Sequence, residues 1–397
     1  MSEHPILGQV VLGYSPMIDR QRAVIATRLT VFPARPDLQV PAPALLQALA
    51  SLWPGTGGQV SLNIVSEQLL ADLMQAPLST NLWIEVPAFM AGLASNVEPL
   101  RRLHAHGNTL LIKGRPLQEL PREVLPCFKY SIIDVAEERR SDAPAAPGIT
   151  RNIGHVQSGV RTMVEMEAAF QRGALAVLGW PVDDAVQATA NRGARPDMQT
   201  IVELIRRVDQ EEPADRLEAV LKNDPTLAFK LMRYINSPAF GLRVEISSFR
   251  HALMLLGYQR LKRWLALLLA SASKDSNMKP VMFAAVRRGL LMEELGRATG
   301  ADEEMRSEMF ICGVFSLLDK MMQQPFADLL RTLPVPERVY QALVENTGPF
   351  QPYFEVVTAV EQESLFDIRS AADGLLMSVT EINRAEMRAL AAAAQLE

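Results

Sequence analysis

LKNDPTLAFKLMRYINSPAFGLRVEISSFRHALMLLGYQRLKRWL, from Leu221 to Leu265, reads as a set of short helices cut by turn formers. Asp224-Pro225 supplies a helix cap followed by a proline, whose missing N–H costs nothing in a first turn. Leu227, Leu231 and Tyr234 then recur at helical spacing, so one face of that helix is apolar. Asn236-Ser237-Pro238 ends it, because Pro238 cannot continue a helix, and the Asn-Ser pair can bond local backbone at the turn. Ser247 or Ser248 caps a second helix that reaches Leu256 before Gly257. Leu253, Leu256 and the apolar run after Lys262 let two or three helices share one core.

Beyond this stretch, the chain from about Pro181 onward is helix after helix, entered through the polar segment DDAVQATANRGARPD. Before it the pattern differs. QVVLGYSPM, AVIATRLTVF, QVSLNIV, LWIEVP, TLLIKG, CFKYSIIDV and ALAVLGW are short apolar or alternating runs that read as strands. Amphipathic stretches such as PAPALLQALASLW and SEQLLADLMQ lie between them, which predicts a largely parallel sheet with crossover helices. Seven or eight such units suggest a closed α/β barrel with trimmed helices, since a full barrel takes about 250 residues. RRSDAPAAPGITRN carries no helical period and reads as a loop. The chain therefore divides into 1–190, an α/β barrel, and 191–397, an all-helical domain.

Composition agrees. The 397 residues are 48% hydrophobic and 21% charged, the balance of a folded globular chain. A net charge of -5 argues against a protein whose affinity comes from clustered cations on phosphate, a local basic patch aside, so no nucleic-acid partner is expected. Cys127 and Cys312 form neither a disulfide framework nor a metal knuckle, which fits a reducing compartment. The start MSEHPILGQVVLGYSP lacks a secretory pattern, and WLALLLASA is too short to span a bilayer. A cytoplasmic protein without membrane contact is the expectation.

The segment around Leu221–Leu265 resembles the HDOD family, a helical relative of the HD-type metal phosphohydrolases. The features that carry the likeness are Asp224, Pro225, Thr226 and Leu227, then Asn236 and Ser237, then the helix from Ser248 to Gly257. The HD chemistry itself needs several His and Asp side chains around metal. After residue 190 the sole histidine is His251, and in FICGVFSLLDK the places of the HD pair are taken by Ser316 and Leu317.

On that cue the first half resembles the EAL domain, a barrel whose active members hydrolyse cyclic diguanylate with two metal ions held by carboxylates and an Asn. The resemblance places Arg28 where the family has its E-x-L glutamate, and Ile112 and Lys113 where it has paired aspartates. Asn63 matches the strand-end Asn, Glu85 the carboxylate of the fourth strand, and Asp134 the K-x-D aspartate, with Ile132 at the lysine. Gln157 and Arg161 replace the A-E-x-V-E glutamates, and Leu178-Gly179 stands for Gln-Gly. A cation cannot ligate a metal, and Lys113 repels one at close range. Asn63, Glu85 and Asp134 read more simply as strand-end hydrogen-bonding residues than as ligands.

The order EAL then HDOD is that of YuxH-like bacterial signalling proteins. The resemblance implies a non-catalytic regulator acting on other signalling proteins, in or near cyclic diguanylate signalling, with no catalytic residue, metal or cofactor. The alternative is a sensor that binds a cyclic dinucleotide weakly without hydrolysing it; an active phosphodiesterase ranks third. His104 and His106 read as a solvated helix end. Arg260, Lys262, Arg263 and Trp264 suit either surface contacts or side chains lying over the core. The short linker between Trp180 and Asp197 suggests that Trp180, Val182 and Met198 sit between the two domains.

Overall fold

The computed structural model describes residues 4–53, 58–138, 153–184, 196–222, 249–271, 276–322, 324, 326, 329 and 335–393. Eight strands close a barrel in sequence order: β1 (Val10–Asp19), β2 (Val24–Pro33), β3 (Val60–Ile64), β4 (Leu82–Pro87), β5 (Leu110–Lys113), β6 (Phe128–Asp134), β7 (Gly154–Val160) and β8 (Ala176–Gly179). The barrel architecture expected from strand–helix alternation is thus present. β7, HVQSGV, is the strand missing from the apolar runs read above.

The sheet is parallel from β2 to β8, but β1 runs antiparallel to both of its neighbours. Only Arg20–Ala23 separate β1 from β2, too few for the crossover that a parallel pair demands, so the first unit is a hairpin. Helices α1 (Ala42–Leu52), α2 (Glu67–Gln75), α3 (Ala88–Ala91), α4 (Val97–Ala105) and α5 (Met163–Gln171) form the crossovers described. Thr162 and Glu165 close a capping box at the start of α5. RRSDAPAAPGITRN falls outside the described residues.

The barrel interior has two layers. Met17, Ala26, Trp83, Leu111, Ile132, Val156, Ala176 and Leu178, drawn from seven strands, meet in one buried cluster. Side chains alternate along a strand, so two residues further on β2 to β5 the inward positions are Arg28, Ser61 and Asn63, Glu85 and Lys113. That second layer is polar and faces the carboxyl ends of the parallel strands.

The chain forms two compact units, 1–184 with 358–387, and 185–357 with 388–397. The sequence places all of 191–397 in one domain; in the structure, residues 358–387 group with the barrel instead. The reason is local to β1, which meets β8 only over Met17–Asp19 and leaves its first half as an edge. Asn383 covers that edge: its Oδ1 accepts from Leu12 N at 3.1 Å, and its Nδ2 donates to Leu7 O and Val10 O at 2.8 Å each. A carboxamide here completes a strand's hydrogen bonding from a helix.

Trp180 packs within the barrel unit. It is 1% exposed, meets Tyr14 edge-on at 5.2 Å and donates Nε1 to Tyr14 O at 3.2 Å. Val182 is buried. Residues 185–195 of the linker and the Met198 side chain lie outside the described residues.

The second unit is helical as expected, with α6 (Pro196–Asp209), α7 (Ala214–Lys222), α8 (Phe249–Ser271), α9 (Lys279–Ala298), α10 (Glu303–Phe315), α11 (Leu318–Met322) and α12 (Glu337–Tyr340). Helix α8 leaves helical geometry at Gly257, with φ 71° and ψ 171°, where a glycine alone is comfortable. The helix stop read before Gly257 is this break. Lys262 pairs with Asp209, and Arg263 grips Glu293 with Nη1 at 2.8 Å while lying 4.4 Å over the Phe310 ring. These two cations therefore tie helices together and are not free surface contacts. The side chains of Arg260, Trp264 and His251 fall outside the described residues.

Helices α13 (Gln351–Glu361), α14 (Leu365–Gly374) and α15 (Val379–Ala393) end the chain. No helix among the described residues is long and apolar enough to cross a membrane.

Candidate functional site

The polar layer of the barrel is one hydrogen-bonded network. Arg28, midway along β2, presents Nε and Nη2 to the two oxygens of Glu85 on β4, both at 2.9 Å. Ser61 on β3 adds a third bond to Glu85 Oε1 at 3.0 Å. The fork of a guanidinium matches a carboxylate in this way and adds geometric specificity to charge. Both side chains are buried.

Arg28 has one more arm. Nη1 reaches Glu363 Oε2 at 3.2 Å, and Thr30 Oγ1 donates to Glu363 Oε1 at 2.5 Å. Asn63 Nδ2 donates to Thr30 Oγ1 at 2.9 Å, and Lys113 Nζ donates to Asn63 Oδ1 at 2.6 Å. Lys113 closes the chain of contacts that begins at Ser61. Burial alone pulls the Arg28 guanidinium down, but the carboxylates of Glu85 and Glu363 outweigh it and hold its pKa above the ordinary arginine value. Lys113 is shifted the other way, first by burial, with Glu85 and Glu363 opposing and Arg28 reinforcing the fall.

Four of the residues singled out by sequence thus meet: Arg28, Asn63, Glu85 and Lys113. Ile112 does not join them. Neighbouring strand residues point to opposite faces, so Ile112 faces away from the barrel axis, into a cavity of about 820 Å³ shared with Ser131, Ile133 and His155. Gln157 likewise faces outward, donating Nε2 to Ile133 O at 2.9 Å.

Asp134 ends β6 and stays apart, accepting from Ala136 N at 2.9 Å and Ser158 Oγ at 3.2 Å. That is a strand-end cap. Arg161 pairs with Asp183 at 2.8 Å. His104 and His106 are exposed at the end of α4.

Glu363 and Thr30 are the functional residues that sequence reading missed. Thr30 stands two residues beyond Arg28 on the same strand face and was within reach of the alternation argument. Glu363 lies 335 residues from Arg28, and no local spacing announces it.

In the helical unit, Ser316 ends α10, donating Oγ to Gly313 O at 2.7 Å and accepting from Arg288 Nη1 at 3.1 Å. Leu317 is buried in the core. Of the other motif positions, Asp224, Pro225, Asn236, Ser237 and Ser248 lie outside the described residues, and Gly257 is the break in α8. Among the described residues no three His, Cys, Asp or Glu side chains converge as a metal site would require.

Residues 196–328 match the HDOD domain family. The chain is 26% identical over 166 residues to the protein YuxH of Bacillus subtilis, a match covering 41% of this chain and 40% of that protein. It is 28% identical over 172 residues to the cyclic di-GMP phosphodiesterase CdgJ of Vibrio cholerae, covering 43% and 40%. Each match therefore spans about two fifths of the relative. Among solved structures it is similar to the EAL domain of Mycobacterium smegmatis DcpA, with a TM-score of 0.31 and 15% identity over 44% of this chain and 92% of that one.

Proposed function

Starting from a chain that carries an HDOD domain at residues 196–328 behind a closed eight-stranded barrel, we propose that it is a cytoplasmic signal-transduction protein that works without turnover, in or near cyclic diguanylate signalling. Its partners are other signalling proteins, met through protein–protein contact. The likeness to a cyclic di-GMP phosphodiesterase supports the signalling context.

The observation that carries the non-catalytic reading is the Arg28–Glu85 fork. A metal-assisted hydrolysis needs carboxylates free to ligate and a cation-accepting site. Here both oxygens of Glu85 are engaged by Arg28, and Asn63 is engaged by Lys113, so fixed protein cations stand against the two candidate ligands. The donor set does not fit a divalent ion.

The test is hydrolysis of cyclic diguanylate by the full chain with magnesium or manganese. No product above the protein-free blank is expected. Turnover that disappears in Glu85→Ala would overturn the reading. Elemental analysis of the purified chain gives a second check, since stoichiometric iron, manganese or zinc contradicts a metal-free HDOD unit.

A second reading, a sensor that holds a cyclic dinucleotide without cleaving it, draws on one feature. A cavity of about 900 Å³ opens beside Lys113, with Arg115 and the exposed Phe89, Leu93 and Leu117 among its lining residues. Two cations beside one aromatic ring and apolar side chains suit an anion that carries flat bases.

A further inference from the structure

Glu363 is held in the barrel as a ligand is held. It follows α13 at a positive φ of 52°, a conformation that a non-glycine residue adopts at a cost. Its two oxygens are shared between Arg28 Nη1 and Thr30 Oγ1. Gly13 on β1 leaves the room: a Cβ there would stand 2.9 Å from Glu363 Cα.

Charge makes the same point. With Glu363 in place, Arg28 and Lys113 are balanced by Glu85 and Glu363. Without it, one positive charge is left over in a network whose Lys113 also lines the cavity of about 900 Å³. Buried charge left unpaired is costly and recruits a counter-ion of matching shape.

We propose that Arg28 and Thr30 form a receptor for a two-oxygen anion of the phosphodiester class, and that Glu363 is its built-in occupant. A phosphodiester offers the same pair of oxygens as the carboxylate it replaces. The segment 358–387 that carries Glu363 is bracketed in sequence by 185–357 and 388–397 of the helical unit. Whatever draws that segment away opens the receptor, and a bound anion in turn favours its departure by linkage. This deepens the sensor reading and rests on it; the absence of hydrolysis does not.

The experiment uses the full chain as wild type, as Glu363→Gln, as Glu363→Gln with Arg28→Met, and as Gly13→Val. The last wedges Glu363 out without changing any charge. Affinity is measured by calorimetry for two probes, cyclic diguanylate and inorganic phosphate, and hydrogen exchange is followed over 363–376. Glu363→Gln and Gly13→Val should each bind cyclic diguanylate at least tenfold more tightly than wild type, and the Arg28→Met combination should lose that gain. The probe should also raise exchange over 363–376 in the wild type. A parallel gain for phosphate shows that the anion alone is recognised; a gain confined to cyclic diguanylate shows that its bases contribute, and both support the receptor. Equal affinity of wild type and Gly13→Val, with both melting cooperatively, overturns the occupancy by Glu363. Binding to no variant by either probe overturns the sensor reading itself and leaves the hydrolysis result standing.

Discussion

Arg28 is the residue on which the barrel interior turns, because all three of its polar ends are committed to carboxylates inside a protein. Removing one partner of such a pair leaves a charge without its match, so Glu85→Ala is expected to cost about 3 kcal/mol or more in urea denaturation. Replacing both, as Arg28→Met with Glu85→Leu, should cost less than the single change. A double variant as weak as the sum of the singles counts against the pair.

Lys113 gives a pH signature at the same scale. Its folded pKa lies below the ordinary lysine value of 10.5, chiefly through burial. Between those two values the unfolded chain binds more protons than the folded one, so this group makes stability rise with pH across that window. Below the window the full penalty of a buried ammonium is present; above it the penalty is gone. Lys113→Met should flatten the slope of unfolding free energy against pH in mildly alkaline buffer, and an unchanged slope removes the claim. Burial also pushes both thiols up, Cys312 to about 12. Ellman's reagent at pH 8 should find little reaction in the native protein and two thiols in denaturant.

Among the helices, α9 and α10 approach each other closely. A Cβ on Gly313 would lie 2.5 Å from the Arg288 backbone, and one on Gly289 would lie 2.9 Å from Phe310 O. The two backbones therefore meet at a pair of glycines, and Asp302 starts α10 by accepting from Met305 N at 2.8 Å. Gly313→Ala has no soft neighbour to displace and should lower stability by about 1–3 kcal/mol. Gly374, at the end of α14, has nothing within 4 Å of its would-be Cβ. Gly374→Ala should be neutral or stabilise by up to about 1 kcal/mol, since alanine is the better helix former. Chemical denaturation of the two variants side by side separates a packing effect from a propensity effect.

At the scale of the whole molecule, a barrel cut at residue 190 is incomplete. It would lack Asn383, whose three bonds cover the β1 edge, and Glu363, which faces Arg28. An uncovered strand edge invites pairing with another chain. A 1–190 fragment should therefore scatter light at concentrations where the full chain is monodisperse, and Asn383→Ala in the full chain should cost about 1–3 kcal/mol. A monodisperse fragment melting with the full-length barrel would show that 358–387 is dispensable.

What the sequence determined by itself was whatever repeats over a few residues. Alternation marked seven of the eight strands, helical period and caps marked the second half, and the residue types at Arg28, Glu85 and Lys113 already spoke for cations among the candidate ligands. β7 escaped because Gln157 and Ser158 break its apolar pattern, and the buried Gln157 bonds the backbone of the neighbouring strand β6. The antiparallel β1 was readable from its short link to β2, though the run of strand–helix units pointed to a parallel sheet. Strand alternation alone turns Ile112 away from Lys113, whereas tertiary structure decided that Trp180 belongs inside the barrel unit and that Glu363 and Asn383 return to β1 and β2. Those contacts join residues more than 160 positions apart, and a contact that depends on where the folded chain comes back leaves no period or spacing in the sequence.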